Sequence, residues 1–474
     1  MLVAGVDSST QSTKVLLCQA QNGAVVGQAS APHPDGTECD PERWWEALAA
    51  AGRGLLDRAD AIGVAAQQHG MVVLDQAGRV IRPALLWNDM RSAPQAGALI
   101  AELGGPAEWA RQTGSVPTAS FTVTKLRWLA EREPASAERT AHVLLPHDWL
   151  TWRLTGRDGG PVEPTTDRGD ASGTGYFSPA VSRWLPEIAA VALGHPVGLP
   201  RVAAPAEIVG RTPGGAALSA GTGDNMGAAL GLGVGLGEVV VSIGTSGTAY
   251  AVAAEPAADE SGLVAGFADA TGRFLPLVAT VNAARILTVT ARMLGTDPEG
   301  LSRLALAAPV GAGGLTLLPY LDGERSPNRP DATGVLRGMT STNTTPENLA
   351  RAAVEALLCS LADAIDNLAD TGITAQRVIL IGGAARSEAV RRIAPAVFGV
   401  PVTVPQPAEY VALGAARQAA WALSGAASPP DWPLPGSSAE YIAEPVPLVR
   451  ERYAALRDAT TGWNAKAPGG SGDG

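Results

Sequence analysis

Val239-Val240-Val241-Ser242-Ile243-Gly244-Thr245-Ser246-Gly247-Thr248 is an apolar run that breaks into a small, hydroxylated turn and resumes as an apolar stretch over 249–253. The chain opens on the same plan. Val3-Ala4-Gly5-Val6 is followed by Asp7-Ser8-Ser9-Thr10-Gln11-Ser12-Thr13 and then by Lys14-Val15-Leu16-Leu17-Cys18. A further β-like stretch over 24–29 comes after Asn22-Gly23, a strong turn dipeptide. The two hydroxylated turns, near residues 10 and 246, lie about half the chain apart. Repetition at that spacing predicts two domains of one fold, each presenting a turn of hydroxyls and backbone amides. Two unrelated hairpins would give the same local pattern.

The bulk properties agree with two domains. A chain of 474 residues is too long for one typical core. Apolar residues make up 46% and charged residues 17%, the balance of a packed globular protein. A net charge of −11 argues against nucleic acid or an anionic membrane surface as partner, so an anionic ligand must be held by local donors. Cys18, Cys39 and Cys359 are odd in number and widely spaced, which is neither a disulfide framework nor a zinc pattern. Met1 leads straight into an apolar strand without a basic leader, and no apolar run reaches membrane-spanning length. A cytoplasmic protein is expected.

Asp40-Pro41-Glu42 is a helix start, with Asp at the cap and Pro at the first position. A buried strand is predicted over 62–66, ending in Gln67-Gln68-His69-Gly70. Residues 71–74 and 80–81 read as a hairpin, and 84–87 as an apolar strand ending in Asn88-Asp89-Met90-Arg91. The Gly-, Asp- and Thr-rich stretch 156–175 reads as a long loop, functional or disordered. Thr345-Pro346-Glu347 caps a long helix. A strand over 378–381, the turn Gly382-Gly383-Ala384-Ala385-Arg386-Ser387, a strand over 402–404 and a helix over 413–423 come next. This alternation predicts an α/β layered domain. Residues 466–474 read as a solvated tail.

At the midpoint stands Gly221-Thr222-Gly223-Asp224-Asn225-Met226-Gly227, whose Asp224 is the sole ionisable side chain between Arg211 and Glu238. Such an acid is either a helix N-cap or a catalytic group, and the local pattern favours the cap. There is no G-x-x-x-x-G-K-[ST] and no clean G-x-G-x-x-G after a strand, so neither a Walker loop nor a Rossmann site is expected. Phosphate can still be cradled by the amides and hydroxyls of tight turns. Gly382-Gly383 offers bare backbone to a flat ligand, or is a plain strand–helix connection. His33, His142, His147 and His195 read as lacking an acid or cysteine at ligand spacing, whereas His69 stands out by its place after a buried strand.

Together these pieces resemble the FGGY family of carbohydrate kinases over nearly the whole chain, to about residue 440. Thr122-Val123-Thr124-Lys125-Leu126-Arg127-Trp128 is similar to one family signature. Gly334-Val335-Leu336-Arg337-Gly338-Met339, continuing to Val354-Glu355, is similar to the second. The stretches 7–13, 84–91, 224–233, 242–247, 318–327 and 380–387 also fit.

The resemblance implies an α/β fold of two ribonuclease-H-like, actin-like ATPase domains flanking a central cleft. The boundaries expected are 1–236 for the sugar domain, 237–440 for the nucleotide domain and 441–474 for a C-terminal segment with a flexible tail. It implies that Asp224 is the general base and that Asp7 helps to position Mg²⁺–ATP through water, with no direct metal ligand. Ser9, Thr10, Ser12 and Thr13 would line one phosphate turn, and Gly244, Thr245, Ser246 and Gly247 the other. Gly382, Gly383 and Arg386 match the nucleoside pocket, and Gln68, His69, Trp87, Asp89 and Asn225 the sugar site. The partners implied are ATP and a small sugar, with no nucleic acid or membrane; a homodimer is left open. The substrate implied is D-xylulose, phosphorylated to the 5-phosphate. Another ketose or polyol such as ribulose or glycerol, or a non-catalytic ATP-binding actin-like protein, are the alternatives. Gln68 replaces a usual Met, Ser9 and Ser12 stand where Gly is frequent, and Ala384 replaces the third Gly of a triplet.

Overall fold

The computed structural model describes residues 1–156 and 163–463. The expected tail over 466–474 lies outside them, as do residues 157–162 of the expected long loop. By its internal contacts the chain forms two compact units. The first comprises Met1–Gly235, Val252–Pro276 and Ala408–Pro435; the second comprises Leu236–Ala251, Leu277–Pro407 and Gly436–Gly474. The first crossing between the units falls after Gly235, and Val252–Pro276 and Ala408–Pro435 pack with the first unit.

In the first unit Leu2–Ser8, Ser12–Gln19 and Val25–Pro32 form an antiparallel meander. Leu2–Ser8 also pairs in parallel with Ala61–Ala66, which pairs in parallel with Ala217–Ser219, and Ile208–Arg211 closes that edge antiparallel. The second unit repeats this spatial order, except that its edge strand follows its neighbour in the chain instead of preceding it. Phe274–Thr280, Gly247–Ala251 and Glu238–Ile243 are its antiparallel meander. Glu238–Ile243 pairs in parallel with Arg377–Ile381, which pairs in parallel with Val402–Pro405, and Ser438–Tyr441 closes the edge antiparallel. The shared meander and parallel pairs are what a repeated opening motif requires.

Each face of the first sheet is apolar and covered. One face packs Val6, Val15, Leu17, Ile62 and Val64 against Trp44 and Leu48 of the helix Pro41–Gly52 and Trp149 of Pro146–Leu154. Asp40 caps the first of these helices by accepting from the Glu42 amide, as its sequence predicts. The opposite face packs Val3, Leu16, Ala61 and Ala217 against Ala412, Leu413, Ala416 and Ala419 of the helix Tyr410–Ser424. Burying each large apolar side chain contributes about 1.5–3 kcal/mol. In the second unit Thr345 caps the helix Pro346–Asp370 by accepting from the Asn348 amide.

Three local expectations change. Over 84–87 only Ala84–Leu85 is strand, pairing with Glu38–Cys39, because Asp89 turns the chain just beyond it by accepting from the Arg91 amide at 3.0 Å. Val72–Leu74 pairs with His142–Leu144, and its expected hairpin partner keeps a single bridge, Leu74 to Val80. The part of the expected loop from 163 onward is ordered and mostly buried, with a strand at Thr165–Thr166 and a helical turn at Arg168–Ala171.

Candidate active site

In the first unit the parallel strands put their carboxyl ends side by side, the edge at which open α/β sheets present ligand-binding groups. Ala65 is in register with Asp7 on one side and with Thr222 on the other. Asp7 thus ends one strand, Gln67-Gln68-His69 continue the next, and Thr222–Gly223 leads into the helix Asp224–Leu232. Gly223 holds the N-cap position and Asp224 is the first helical residue, so the expected cap is displaced by one. An acid in the first turn is favoured by the helix dipole wherever it sits there.

Asp224 is half-buried, and its Oδ1 accepts from the Asn225 amide at 2.8 Å and from Asn225 Nδ2 at 3.0 Å. The same Nδ2 donates to Gln68 Oε1 at 3.0 Å, which ties the acid to the residue before His69. Burial, then the negative charge of Asp7, push the Asp224 carboxyl up to about 7. Asp7 is buried and accepts from Ser9 Oγ; desolvation raises it to about 6, against the opposing pull of Ser9 and Lys14. Two carboxyls whose proton affinities are raised at one sheet edge make that edge a candidate functional site.

His69 has φ +68°, a conformation uncommon outside glycine. Its Nδ1 meets the Gly173 carbonyl oxygen at 2.6 Å, and its ring lies 4.9 Å from Phe121 and 5.7 Å from Phe267. Trp87 Nε1 donates to Thr10 Oγ1 at 2.8 Å, joining one expected sugar residue to the first hydroxylated turn. Asp89 is buried and occupied: it accepts from Thr37 at 2.7 Å and from Arg91 Nε at 2.8 Å, contacts that hold it below the usual carboxylate range despite burial. Within the turn the Ser9 amide donates to the Ser12 carbonyl at 3.1 Å. Thr13 points inward, its hydroxyl 2.8 Å from His33 Nε2, so it braces the turn.

In the second unit Gly244, Thr245 and Ser246 are exposed and Gly247 is buried. Gly244 and Thr245 accept from the Ala284 and Ala283 amides at 2.9 and 3.2 Å. Gly382 follows the parallel strand Arg377–Ile381 with φ +94°, and a Cβ there would stand 2.6 Å from the Ile243 carbonyl oxygen. The second hydroxylated turn and the Gly382-Gly383 turn therefore abut. Gly383 and Arg386 are exposed on the same edge, in a helical turn over Gly383–Arg386.

A buried ionic group was not anticipated. His147 Nδ1 lies 2.6 Å from Asp170 Oδ2, and its Nε2 lies 3.3 Å from Asp148. Asp167 Oδ2 accepts from Thr222 Oγ1 at 2.9 Å. This corrects the expectation that His147 has no acid partner. The adjacent Asp148 was the visible signal, but Asp170 lies in the stretch whose composition reads as loop.

Residues 2–233 match the N-terminal domain, and residues 239–423 the C-terminal domain, of the FGGY family of carbohydrate kinases. The chain is 47% identical to a xylulose kinase of Streptomyces coelicolor over 441 residues, 90% of this chain and 88% of that one. It is likewise 47% identical to a xylulose kinase of Streptomyces rubiginosus over 444 residues, with the same coverage. Its fold superposes on the crystal structure of xylulose kinase from Bifidobacterium adolescentis with a TM-score of 0.91 and 44% identity, covering 96% of this chain and 99% of that one.

Proposed function

The chain belongs to the FGGY family of carbohydrate kinases, and we propose that it transfers the γ-phosphoryl group of ATP to the C5 hydroxyl of D-xylulose, with Asp224 as general base. The observation behind the base is the Asp224 carboxyl itself, held by Asn225 and poised near neutrality, where a base combines adequate ionised fraction with useful basicity. As the sugar oxygen bonds to the γ-phosphorus, its proton passes to Asp224 and the bond to the ADP oxygen breaks. Both Asn225 donations fall on Oδ1, which leaves Oδ2 as the oxygen to take the proton.

Little covalent chemistry is asked of the protein in such a transfer; positioning and charge stabilisation suffice. Gln68, His69, Asn225 and Trp87 would hold the sugar, with Asp89 acting through Arg91 and Thr37. The turns at Ser9–Thr13 and Gly244–Gly247 would supply amide and hydroxyl donors to phosphate, and Gly382, Gly383 and Arg386 the surface for the nucleoside. Magnesium brought by ATP fits Asp7, a buried acid that gains from a nearby cation, and would offset phosphate charge. Among the described residues no helix is long and apolar enough to cross a membrane.

The test is ADP release across a panel of ketoses and polyols. D-Xylulose is expected to give the highest kcat/KM. Turnover about tenfold better on ribulose or glycerol would overturn the substrate assignment.

A further inference from the structure

The stretch 167–175 does more than its loop-like composition promises. Asp167 accepts from the Gly169 and Asp170 amides at 3.0 and 2.8 Å, capping its own helical turn, and from Thr222 Oγ1 at 2.9 Å. Thr222 stands two residues before Asp224. Gly173 accepts from the His69 ring, and the Thr174 carbonyl accepts from the Val123 amide at 2.9 Å. Ser172 Oγ accepts from the Ala268 amide at 3.0 Å, next to Phe267 of the His69 wall. One short segment therefore touches the strand end that delivers Asp224, the unusual His69 and the aromatic residues around it.

The segment is fixed from beneath by His147. Asp170 and Asp148 face its two ring nitrogens from opposite edges, and all three side chains are fully buried. Burial disfavours the protonated ring, but the Asp148, Asp170 and Asp167 charges outweigh it and raise its proton affinity, to about 9. Gly221 passes over this ring so closely that a Cβ would lie 2.5 Å from His147 Cδ2.

We propose that the segment 167–175 is the positioning element of the transfer step, Asp167 setting Asp224 through Thr222 and Gly173 setting His69, with the Asp170–His147 pair as its anchor. The proposal rests on Asp224 being the base, as proposed above. Asp167, Asp170 and His147 are positioning residues in this scheme. A hydroxyl two residues from a base sets its reach to the substrate, and misplacement by about 1 Å can cost about a hundredfold in rate.

The test is steady-state kinetics on the best sugar of the panel, with melting temperatures, for Thr222→Val, Thr222→Ser, Asp170→Asn and Asp224→Asn. Thr222→Val is expected to lower kcat at least about tenfold with the ATP KM within about twofold of wild type, and Thr222→Ser to recover most of it. Asp170→Asn is expected to raise the sugar KM as well, because His69 loses its support. A Thr222→Val enzyme with kcat and sugar KM within about twofold of wild type overturns the proposal, whatever its melting temperature, as does a Thr222→Ser enzyme as slow as the Val variant. Should Thr222→Val fail to fold, Asp167→Asn bears the same expectation and the same refutation. An active Asp224→Asn enzyme would refute the base; an inactive one beside a wild-type-like Thr222→Val would refute only the positioning role.

Discussion

Gly414, in the helix Tyr410–Ser424, lies against Gly227, in the helix that Asp224 begins, so closely that a Cβ on Gly414 would overlap the Gly227 carbonyl oxygen. The contact is asymmetric. A Cβ on Gly231 would likewise overlap the Tyr410 carbonyl oxygen, but one on Gly227 would meet Ala65 and Val411 at 3.2 and 3.3 Å, a fit that small shifts can absorb. Gly414→Ala and Gly231→Ala are therefore expected to destabilise the protein by about 3 kcal/mol or more and to abolish activity. Gly227→Ala should cost about 1 kcal/mol, and thermal denaturation of the three variants measures the difference.

Asp224→Asn should remove phosphoryl transfer while ATP binding survives. It should also stabilise the protein above neutral pH. The folded-state proton affinity of Asp224 is raised, so its ionised form is disfavoured by folding, and relieving that conflict is worth on the order of 1 kcal/mol after allowance for its partial exposure. Calorimetric ATP binding and melting at pH 8 check both halves. Loss of ATP binding in step with turnover would make Asp224 structural.

A base must be ionised to work. With the Asp224 carboxyl at about 7, kcat/KM for the sugar is expected to fall as pH drops through 7, approaching tenfold per unit below it. A pH–rate profile flat down to about 5 would contradict this environment for the acid.

Stability should run the opposite way in pH. Asp7 and Asp167 are raised to about 6 and Asp148 to about 7, each chiefly by burial, so the folded chain holds these protons more tightly than the unfolded one and loses stability as pH rises through those values. The His147 contribution, raised by its carboxylates, is complete below the usual histidine range and vanishes as pH climbs through about 9. Buried Lys125, lowered by desolvation to about 7, opposes them because it sheds its proton more readily when folded. The melting temperature is expected to decline from about pH 4 to about pH 7 and then to level off, because above pH 7 the gain from Lys125 offsets the loss from His147.

Gly383→Ala separates fold from ligand in the second unit. Nothing stands within 4 Å of a Cβ there, so the variant should melt as wild type. A methyl on the surface proposed for the nucleoside should nonetheless raise the ATP KM about tenfold. Kinetics at saturating sugar decide.

The edge proposed as catalytic was legible because its signals are local. A strand meeting a hydroxylated turn announced itself at residue 10 and again at residue 246, and Asp224 stood out as one acid in an apolar run. The support beneath it was hidden because burial, not composition, makes it. Asp167 and Asp170 sit among glycines and threonines that read as a long loop, and His147 finds Asp170 only through tertiary structure, 23 residues on. Residues 413–423 read correctly as helix, and their run of Gly and Ala was a sign of close backbone approach. Nothing in that run says which sheet it covers.

That allegiance bears on how the chain is made. The helix Tyr410–Ser424 covers Val3, Leu16, Ala61 and Ala217, residues that leave the ribosome long before it does. At ordinary elongation rates roughly ten to thirty seconds separate the emergence of Gly235 from that of the helix. Throughout that interval the nascent first sheet has one apolar face bare, and a fragment stopped at Gly235 would keep it bare for good. Synthesis of this enzyme is thus a period of exposure to chaperones and to aggregation, and it ends only when the last tenth or so of the chain is being added.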